Sequence, residues 1–448
     1  MSAEIPSFRA ALRVWLRIGL LSFGGPAGQI ALMHKELVER RRWIDEPRFL
    51  HALNYCMLLP GPEAQQLAIY IGWLLHRVPG GIVAGGLFVL PGFLAVLALS
   101  MAYASLRSLP LVSALFFGLK AAVLALVLEA LLRIGKRALR SRLLRALAVL
   151  AFLLLFFLEV PFPAVVLAAG LFGALFARLL PAPPNRQDPE RDAPSAIDRL
   201  AAEGRLQHTT PRARRALFTI AIAGGLWAAP VLVMLAIFGP ASVWVDEGRF
   251  FSKAAVVTFG GAYAVLAYIA QQAVAHYHWL LPGEMLDGLG LAETTPGPLI
   301  LVVEFVGFLG AYGSPGPLPP LLAGVLGAAV TVWVTFVPCF LWVFLGGPYI
   351  ERLRGERRLN AALSAITAAV VGVIANLSVW FALHVLFGTI QEERWGPLRI
   401  LWPAFGSLDP AAATLAIISA LALFRFHLGV PQALGLAAAL GAAWRLLA

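Results

Sequence analysis

The sequence predicts an all-α polytopic membrane protein with about 13 hydrophobic segments, built as two inverted-topology repeats whose helices are broken by glycine and proline. Of the 448 residues, 60% are hydrophobic and 13% are charged, and the mean hydropathy is +0.81. Soluble domains carry roughly 25% charged residues. Apolar windows of about 20 residues, enough to cross a bilayer, recur along the chain, as in Ile82–Ala102 and Leu321–Leu345.

The N-terminus and the net charge are both typical of such a protein. Arg13 and Arg17 interrupt the first apolar run and no small-residue cleavage site follows, so we expect this segment to remain in the mature protein. The net charge of +11 lies mainly in short loops beside apolar segments, as the positive-inside rule predicts. The expected partner is therefore the lipid bilayer, and no nucleic acid is expected.

An internal repeat is legible at an offset of 236 residues. "SFGG" at 22–25 returns as "TFGG" at 258–261, and the Pro-Gly-Pro at 60–62 returns at 296–298. Arg17 and Trp43 correspond at the same offset to Lys253 and Trp279. After an 11-residue insertion, "FVLPGFL" at 88–94 corresponds to "TFVPCFL" at 335–341. The chain is therefore interpreted as two homologous halves.

The segment between the halves predicts the domain organisation. Residues 1–180 form the first repeat, and residues 181–215 are a polar linker rich in proline and arginine. Residues 216–238 form one additional apolar helix, and residues 239–448 form the second repeat. A single extra crossing would invert the second repeat relative to the first.

Loop charges support this inversion. Met33–Arg48 carries five Lys or Arg residues while its counterpart Gln271–Glu284 carries none, and Arg133–Arg145 carries six while Trp380–Glu392 carries none. The bias reverses in the loop at Arg107, whose counterpart in the second repeat is richer in arginine. Opposite biases in equivalent loops indicate opposite orientations, with the N-terminus and the linker on the cytoplasmic side.

The same charges constrain the path through the membrane. If the loops Met33–Arg48 and Arg133–Arg145 are both cytoplasmic, the segment containing Pro60–Pro62 enters and returns as a helical hairpin hinged at the break. The alternative is about 13 full crossings, which would place the first of these basic loops outside.

Four glycine- and proline-rich breaks are candidate binding elements: Gly24-Gly25, Pro60-Gly61-Pro62, Gly260-Gly261 and Pro296-Gly297-Pro298. A helix that restarts after such a break presents unpaired N–H groups and about half a positive charge. Glycine lets a ligand approach the backbone closely. Convergent helix starts in an inverted repeat therefore predict an anion site near the membrane midplane.

Three ionisable side chains lie near these breaks or within apolar runs. Lys120 has apolar neighbours on both sides and is either part of the anion path or a structural lysine, with Glu129 as an imperfect partner. Glu63 follows Pro62 and is either a first-turn cap or a proton-carrying or gating group. Glu304 lies deeper in an apolar run and is the stronger candidate for proton coupling.

The remaining polar residues carry weaker signals. Amides and hydroxyls near the breaks could donate to oxygen ligands, although each fits helix packing better: Gln29, Gln65, Gln66, Ser22, Thr258, Thr294 and Thr295. Cys56 and Cys339 lack metal-ligand spacing and are expected to be buried. The histidines suit solvated or interfacial roles: His34, His51, His76, His276 and His278. No cofactor and no metal are expected, and an enzyme is disfavoured because no nucleophile with its base is apparent.

Four stretches carry a family resemblance: "FGGPAGQIALMHKELVERRRWID", "FLHALNYCMLLPGPEAQQLAIYIGW", "VTFGGAYAVLAYIAQQAV" and "ETTPGPLILVVEFVGF". They resemble the two-domain, long-chain members of the chromate ion transporter family, over roughly residues 8–132 and 250–390. The motif positions are Phe23–Pro26, Trp43, Pro60–Pro62, Phe259–Gly261 and Pro296–Pro298. Ala262 stands where the first repeat has Pro26, so the second break is expected to be less sharp.

The resemblance implies a bacterial inner-membrane protein that exports chromate and confers resistance to it, with sulfate as the expected competitor. The predicted function is a secondary transporter working by alternating access, and proton exchange would make it an antiporter. The alternatives are an importer or exchanger of sulfate or another oxyanion, with chromate incidental, and a channel. The sequence leaves a homodimer open.

Overall fold

The computed structural model describes residues 5–23, 25–57, 59–107, 109–180, 194–258, 262–349 and 357–447. Helices dominate these residues. The helices up to the linker are α1 Phe8–Leu20, α2 Gly25–His34, α3 Glu46–Cys56, α4 Glu63–Leu106, α5 Pro110–Ala138, α6 Arg142–Phe156 and α7 Phe162–Leu175. Those that follow are α8 Ala196–Ala202, α9 Ala213–Phe238, α10 Val243–Val257, α11 Ala262–Gln271, α12 Pro282–Thr294, α13 Val302–Gly313, α14 Pro320–Gly346, α15 Arg357–Leu386, α16 Pro410–Phe424 and α17 Val430–Leu447.

The long helix α4 is two arms joined by a sharp turn. His76 and Arg77 leave the helical conformation, and Arg77 has a φ of 55°. The two arms then pack closely, because a Cβ built on Gly72 would lie 2.5 Å from the carbonyl oxygen of Gly80. Glycines on both sides of the turn therefore allow the two arms to pack against each other.

Several backbone irregularities recur at the 236-residue offset that the sequence showed. A π-helical turn at Lys35–Arg40 has a counterpart at Gln272–His276. Arg42 and its equivalent His278 both have a positive φ, of 51° and 55°. A positive φ is uncommon outside glycine, so its recurrence at equivalent positions is a shared conformational feature of the two halves.

The chain divides into two compact units, each of which draws on both halves of the sequence. The first contains Met1–Ala98, Pro184–Gly261 and Thr295–Gly355. One of its hydrophobic cores surrounds Trp15, Phe49 and Phe88, with α8 contributing Ile197 and Leu200. A second cluster forms where Trp244 of α10 meets Ala311 and Ala323 of α13 and α14.

The second unit contains Leu99–Pro183, Ala262–Thr294 and Glu356–Ala448. Its helices cross at small residues. A Cβ on Gly118 of α5 would overlap the backbone of Ala437 in α17, and a Cβ on Gly372 of α15 would overlap that of Ala148 in α6. Small residues at crossings let helix backbones approach closely, which is how helices pack in lipid, where burial of apolar surface adds little.

Five helices among the described residues are long and apolar enough to cross a membrane: α4, α5, α9, α14 and α15. Three shorter apolar helices accompany them, at Phe162–Leu175, Leu299–Gly313 and Pro410–Phe424. Helix α9 covers the apolar segment predicted at 216–238 and has no buried residue in its apolar window, as expected of a helix facing lipid. The architecture is that of a multi-pass membrane protein, while the number of 13 hydrophobic segments stays a prediction.

Part of the predicted linker is folded. Residues 181–193 lie outside the described residues, but Ser195 and Asp198 form a capping box at the start of α8. The amides of Ala196 and Ile197 donate to the carbonyls of Arg42 and Trp43 at 3.0 Å. The C-terminal part of the linker is therefore anchored to the basic loop that follows α2.

The structure also contains a two-stranded antiparallel hairpin, β1 Ile390–Trp395 and β2 Leu398–Pro403. The range Trp380–Glu392 was predicted from sequence to be a loop. In the structure α15 extends to Leu386 and β1 starts at Ile390, so the loop is shorter than predicted. Arg394 and Arg399, just beyond that range, both form ion pairs with Glu159.

Candidate functional site

The two Pro-Gly-Pro segments lie at equivalent helix breaks in the first unit. Residues 60–62 separate α3 from α4, and residues 296–298 separate α12 from a 3-10 turn at Leu299–Leu301 that leads into α13. Gly61 has a φ of 115° and Gly297 a φ of 104°. Only glycine adopts such angles without strain, so the central residue of each break is fixed by its backbone conformation.

Each break is bonded to the opposite half of the sequence by a matching hydrogen bond. The Gly61 N–H donates to the Thr258 carbonyl at 2.8 Å, and the Gly297 N–H donates to the Ser22 carbonyl at 2.8 Å. The two bonds are equivalent, since Thr258 and Gly297 follow Ser22 and Gly61 at the same offset. The N–H groups at the breaks were predicted from sequence to be available to a ligand, but these two amides already have protein partners.

A second pair of equivalent contacts packs each break against a helix at the residue that follows an internal proline. Gly297 lies against Gly92, which follows Pro91 inside α4, with 3.2 Å between the Gly297 Cα and a Cβ built on Gly92. A Cβ on Gly61 would lie 2.9 Å from the Sγ of Cys339, which follows Pro338 inside α14. Cys339 is thus a packing residue, and both cysteines are buried, as the sequence predicted.

Two of the predicted amide side chains hold the breaks in place. Gln29 Nε2 donates to the Gly297 carbonyl at 2.6 Å, and Gln66 Nε2 donates to the Pro60 carbonyl at 2.7 Å. Both side chains are buried, which makes their bonds to backbone carbonyls costly to lose. Thr258 and Thr294 instead donate their hydroxyls to backbone carbonyls of their own helices.

Some buried polar atoms at the breaks are left without a partner among the described residues. They are the Ser22 hydroxyl oxygen and the side-chain carbonyl oxygens of Gln65 and Gln66. Unpaired polar atoms in an apolar interior are costly unless water or a ligand satisfies them. Ser22 is the donor among them, and its own carbonyl accepts from Gly297.

Of the other glycines predicted to form the breaks, the structure describes one. Gly25 opens α2 with a φ of 66°. Gly24, Gly260 and Gly261 lie outside the described residues, as does Phe259.

Lys120 lies in α5 of the second unit and forms an ion pair that the sequence did not anticipate. Its Nζ is 3.3 Å from Oδ2 of Asp287 in α12, and the Tyr103 hydroxyl donates to the same oxygen at 2.8 Å. Glu129, the partner considered from sequence, lies 3.7 Å from Arg133. Asp287 was not predicted from sequence. It lies in the apolar stretch "MLDGLGLA", and an ionisable residue in an apolar stretch is the same signal that identified Lys120.

The acidic candidates differ in their surroundings. Glu63 is the first residue of α4, the position at which a carboxylate stabilises a helix start. Glu304, in the first turn of α13, is fully buried, and neither carboxylate oxygen has a hydrogen-bond partner among the described residues. Glu247 of α10, which was not among the residues predicted from sequence, is buried too, and its carboxylate oxygens likewise have no hydrogen-bond partner among the described residues.

The histidines bind neighbouring protein groups. His34 pairs with Glu39 and Glu46, and His76 contacts the carbonyl of Pro6 at 2.9 Å. Within the described ranges, no three His, Cys, Asp or Glu side chains come together in a group that could hold a metal ion.

The comparison with known proteins places this arrangement in a family. The chromate transporter family matches residues 10–174 and 246–442. The chain is 30% identical over 384 residues to a chromate transport protein of Cupriavidus metallidurans, covering 85% of this chain and 84% of that protein. It is 33% identical over 373 residues to a chromate transport protein of Pseudomonas aeruginosa, covering 82% and 79%.

A third relative, a probable chromate transport protein of Synechococcus elongatus, is 26% identical over 376 residues, covering 83% of this chain and 84% of that protein. No solved structure matches the chain. Because the family match spans both halves of the sequence, the chain belongs to the chromate transporter family.

Proposed function

We propose that this protein is a secondary transporter that carries a tetrahedral oxyanion dianion, foremost chromate, out across the bacterial inner membrane by alternating access and so confers chromate resistance. The relatives described as chromate transport proteins support the substrate. The observation that carries the mechanism is the matched pair of hydrogen bonds, Gly61 to Thr258 and Gly297 to Ser22. Broken helices held together by equivalent contacts from two repeats are where transporters of this kind bind substrate.

We propose further that the repeats are inverted in the membrane. The shared π-helical turns and matching positive φ angles support the repeat, and the opposite charge bias of equivalent loops supports the inversion. Residues 63–75, the first arm of α4, span only about 20 Å at 1.5 Å per residue, less than the roughly 30 Å of a bilayer core. The shortness of this arm favours a re-entrant hairpin over full crossings.

Within this scheme we assign substrate contacts in each unit by itself, at the breaks in the first unit and at Lys120 in the second. The helix that starts after Pro62 presents the partial positive charge of its N-terminus, and the Ser22 hydroxyl presents a hydrogen-bond donor that no described residue uses. Lys120 supplies a full positive charge in the second unit. The proton-coupling group is Glu304, with Glu63 as the second candidate, because a buried carboxyl without a partner is far more stable when protonated.

The membrane potential alone suffices to drive export. Moving one elementary charge across 100 mV is worth about 2.3 kcal/mol, so a dianion leaving a negative interior gains about 4.6 kcal/mol. At about 1.4 kcal/mol per tenfold ratio, this supports a gradient of about three decades. Proton exchange at Glu304 would add to this driving force or regulate the rate of export.

The test is uptake of labelled chromate by everted membrane vesicles that contain the protein, under an inside-positive potential, with and without excess sulfate. We expect potential-dependent uptake that sulfate suppresses. Empty vesicles are the control, and the protein's fold is checked by its unfolding transition. Absence of uptake above empty vesicles would refute chromate as substrate, and uptake driven only by the opposite potential would favour an importer.

Counterflow separates the two remaining transport alternatives. When vesicles are preloaded with unlabelled oxyanion, a carrier accelerates the entry of labelled chromate, whereas a channel does not. If preloaded sulfate accelerates the entry of labelled chromate but the membrane potential drives no net chromate flux, the protein is an exchanger of sulfate or another oxyanion.

A further inference from the structure

The ion pair between Lys120 and Asp287 is incompletely satisfied. The distance of 3.3 Å between Nζ and Oδ2 exceeds the 2.7–2.9 Å of strong charged hydrogen bonds. The Asp287 side chain is 3% exposed, yet its second oxygen, Oδ1, has no hydrogen-bond partner among the described residues. A purely structural pair in an apolar environment would be expected to satisfy both oxygens.

The lysine side of the pair is accessible. The Lys120 side chain is 30% exposed, and an ammonium has three donors, of which Asp287 engages one. A Cβ built on Gly283, in the first turn of α12, would lie 2.9 Å from Nζ, so glycine at this position makes room for the amine. The amine therefore reaches the start of α12, where the helix dipole also favours an anion.

The charged and titratable groups around Asp287 are few. On α5 and at the end of α4 they are Lys120 and Tyr103, and on α12 itself Glu284 is the nearest acid, bound to Arg107. On α17 the single charged residue is Arg445, which stacks on Phe117 at 4.3 Å. The charged or titratable residues of α15 lie towards its ends: Arg357, Arg358 and His384.

These observations rest on the proposed oxyanion transport and deepen it. We propose that Asp287 is an internal competitor for Lys120, and that an oxyanion binds Lys120 together with one proton that Asp287 takes up. On binding, the Lys120–Asp287 ion pair opens and the oxyanion takes the place of the carboxylate at the ammonium. Asp287 takes up one proton from the bulk solution and becomes a neutral donor towards the oxyanion, while Lys120 keeps its own proton.

Charge balance is the physical reason for the proton. A dianion beside a cationic lysine and an ionised aspartate would leave a net charge of about −2 in an apolar region, which is very costly. A protonated Asp287 lowers this to about −1 and adds a hydrogen bond. In the absence of substrate, the ion pair neutralises Lys120 and avoids an unpaired charge in the bilayer.

The experiment measures the dissociation constant of labelled chromate for the purified, detergent-solubilised protein between pH 5.5 and pH 8.5. The variants are Asp287→Asn, Lys120→Met and the double variant. Affinities are expressed as the ratio to wild type at the same pH, which cancels the titration of chromate itself. Glu129→Gln combined with Arg133→Gln is the matched control, because it neutralises an ion pair on the same helix.

We expect Asp287→Asn, which mimics the protonated carboxyl, to bind about tenfold or more tightly than wild type at high pH and about equally at low pH. Lys120→Met and the double variant should bind about tenfold or more weakly at every pH, while the control should match wild type. A ratio for Asp287→Asn that stays constant with pH would overturn the proposal. So would a double variant that binds like wild type, since the pair would then be structural only.

Unfolding midpoints are measured for all variants. Where a single variant fails to fold because it leaves one charge unpaired, the neutral double variant decides, since it restores the charge balance. Wild-type protein that binds no chromate at any pH would instead contradict the proposed function, so the two failures are distinguishable.

Discussion

Gly61 and Gly297 show how a single residue type fixes the candidate site. Their φ angles of 115° and 104° belong to a region that side chains with a Cβ avoid, and each amide is committed to a carbonyl of the opposite repeat. The local chemistry of Pro-Gly-Pro was enough to predict a break from sequence. The partners of the break were not predictable, because they come from distant segments whose contact has no local signature.

Replacing either glycine with alanine should damage both stability and transport. We expect Gly61→Ala and Gly297→Ala each to lose about 1–3 kcal/mol through backbone strain. The Gly61 variant also brings a Cβ to 2.9 Å from the Cys339 sulfur. The measurements are the unfolding midpoint and chromate uptake by vesicles.

Gly86→Ala is the matched control, since it lies in α4 where a Cβ meets nothing within 4 Å. It should be neutral or slightly stabilising, because alanine favours a helix over glycine. If Gly61→Ala folded and transported as well as Gly86→Ala, the conformation of the break would not matter for function.

Glu304 is the residue to which we assign proton coupling. Its carboxylate is fully buried and unpartnered, so Glu304→Gln, which resembles the protonated form, should fold normally. We expect the maximal rate of chromate transport at saturating substrate to lose its pH dependence in this variant. Glu392→Gln, in an exposed pair with Arg394, is the control and should keep the wild-type profile. An unchanged profile in Glu304→Gln, with a loss in Glu63→Gln, would transfer the role to Glu63.

At the scale of elements, the sequence predicted the apolar helices better than the turns between them. Apolar windows at 82–102, 216–238 and 321–345 fall within α4, α9 and α14. The turn at His76–Arg77 was missed, because Arg77 adopts a positive φ that arginine does not signal. The β-hairpin was also missed, because "IQEERW" lacks the alternation of a half-buried strand and is largely exposed, and the second strand is only partly buried.

Helix α8 is a short element whose anchoring depends on a few polar contacts. Asp198 accepts from Ser195 in the capping box, and Arg48 donates to Asp198 at 2.7 Å. Burial raises the pKa of Asp198, but the bonds from Ser195 and Arg48 outweigh it and lower the pKa overall. A lowered folded-state pKa means that the ionised form stabilises the folded state.

We therefore expect Asp198→Asn to cost about 1 kcal/mol of local stability and to speed tryptic cleavage at Arg199 and Arg205. In the wild type this contribution should persist at neutral pH and be lost only as the pH falls below about 4, the ordinary range of aspartate. Glu203→Gln, in an exposed pair with Arg205, should leave cleavage unchanged. Equal cleavage of both variants would show that the apolar residues of α8 hold it without the cap.

At the scale of the whole molecule, the repeat is the feature that the sequence predicted most directly. Shared motifs revealed the offset, and the same offset relates π-helical turns, positive φ angles and hydrogen bonds at the breaks. The two compact units were not predictable from the repeat, because each unit is assembled from segments of both halves. Homology in sequence identifies equivalent elements, but which elements pack together is decided by side chains from distant parts of the chain.

The inverted orientation of the repeats makes a prediction about the two faces of the membrane. Glu39 and Ala275 are exposed and occupy equivalent positions in the two π-helical turns. If the repeats are inverted, Glu39→Cys should react with a membrane-impermeant maleimide only from the cytoplasmic face, in everted vesicles. Ala275→Cys should react only from the outside, in intact cells. The wild-type protein is the control, because Cys56 and Cys339 are buried and should not react.

Labelling of both positions from one face would rule out inversion, whatever the substrate. The outcome also separates the two membrane paths, because full crossing of every segment would place the loop that contains Glu39 outside. Cytoplasmic Glu39→Cys with external Ala275→Cys would therefore support re-entrant hairpins at the breaks. The two equivalent hydrogen bonds, at Gly61 and Gly297, would then belong to breaks that enter from opposite faces of the membrane. Opening one bond at a time would expose the substrate to one face at a time, as alternating access requires.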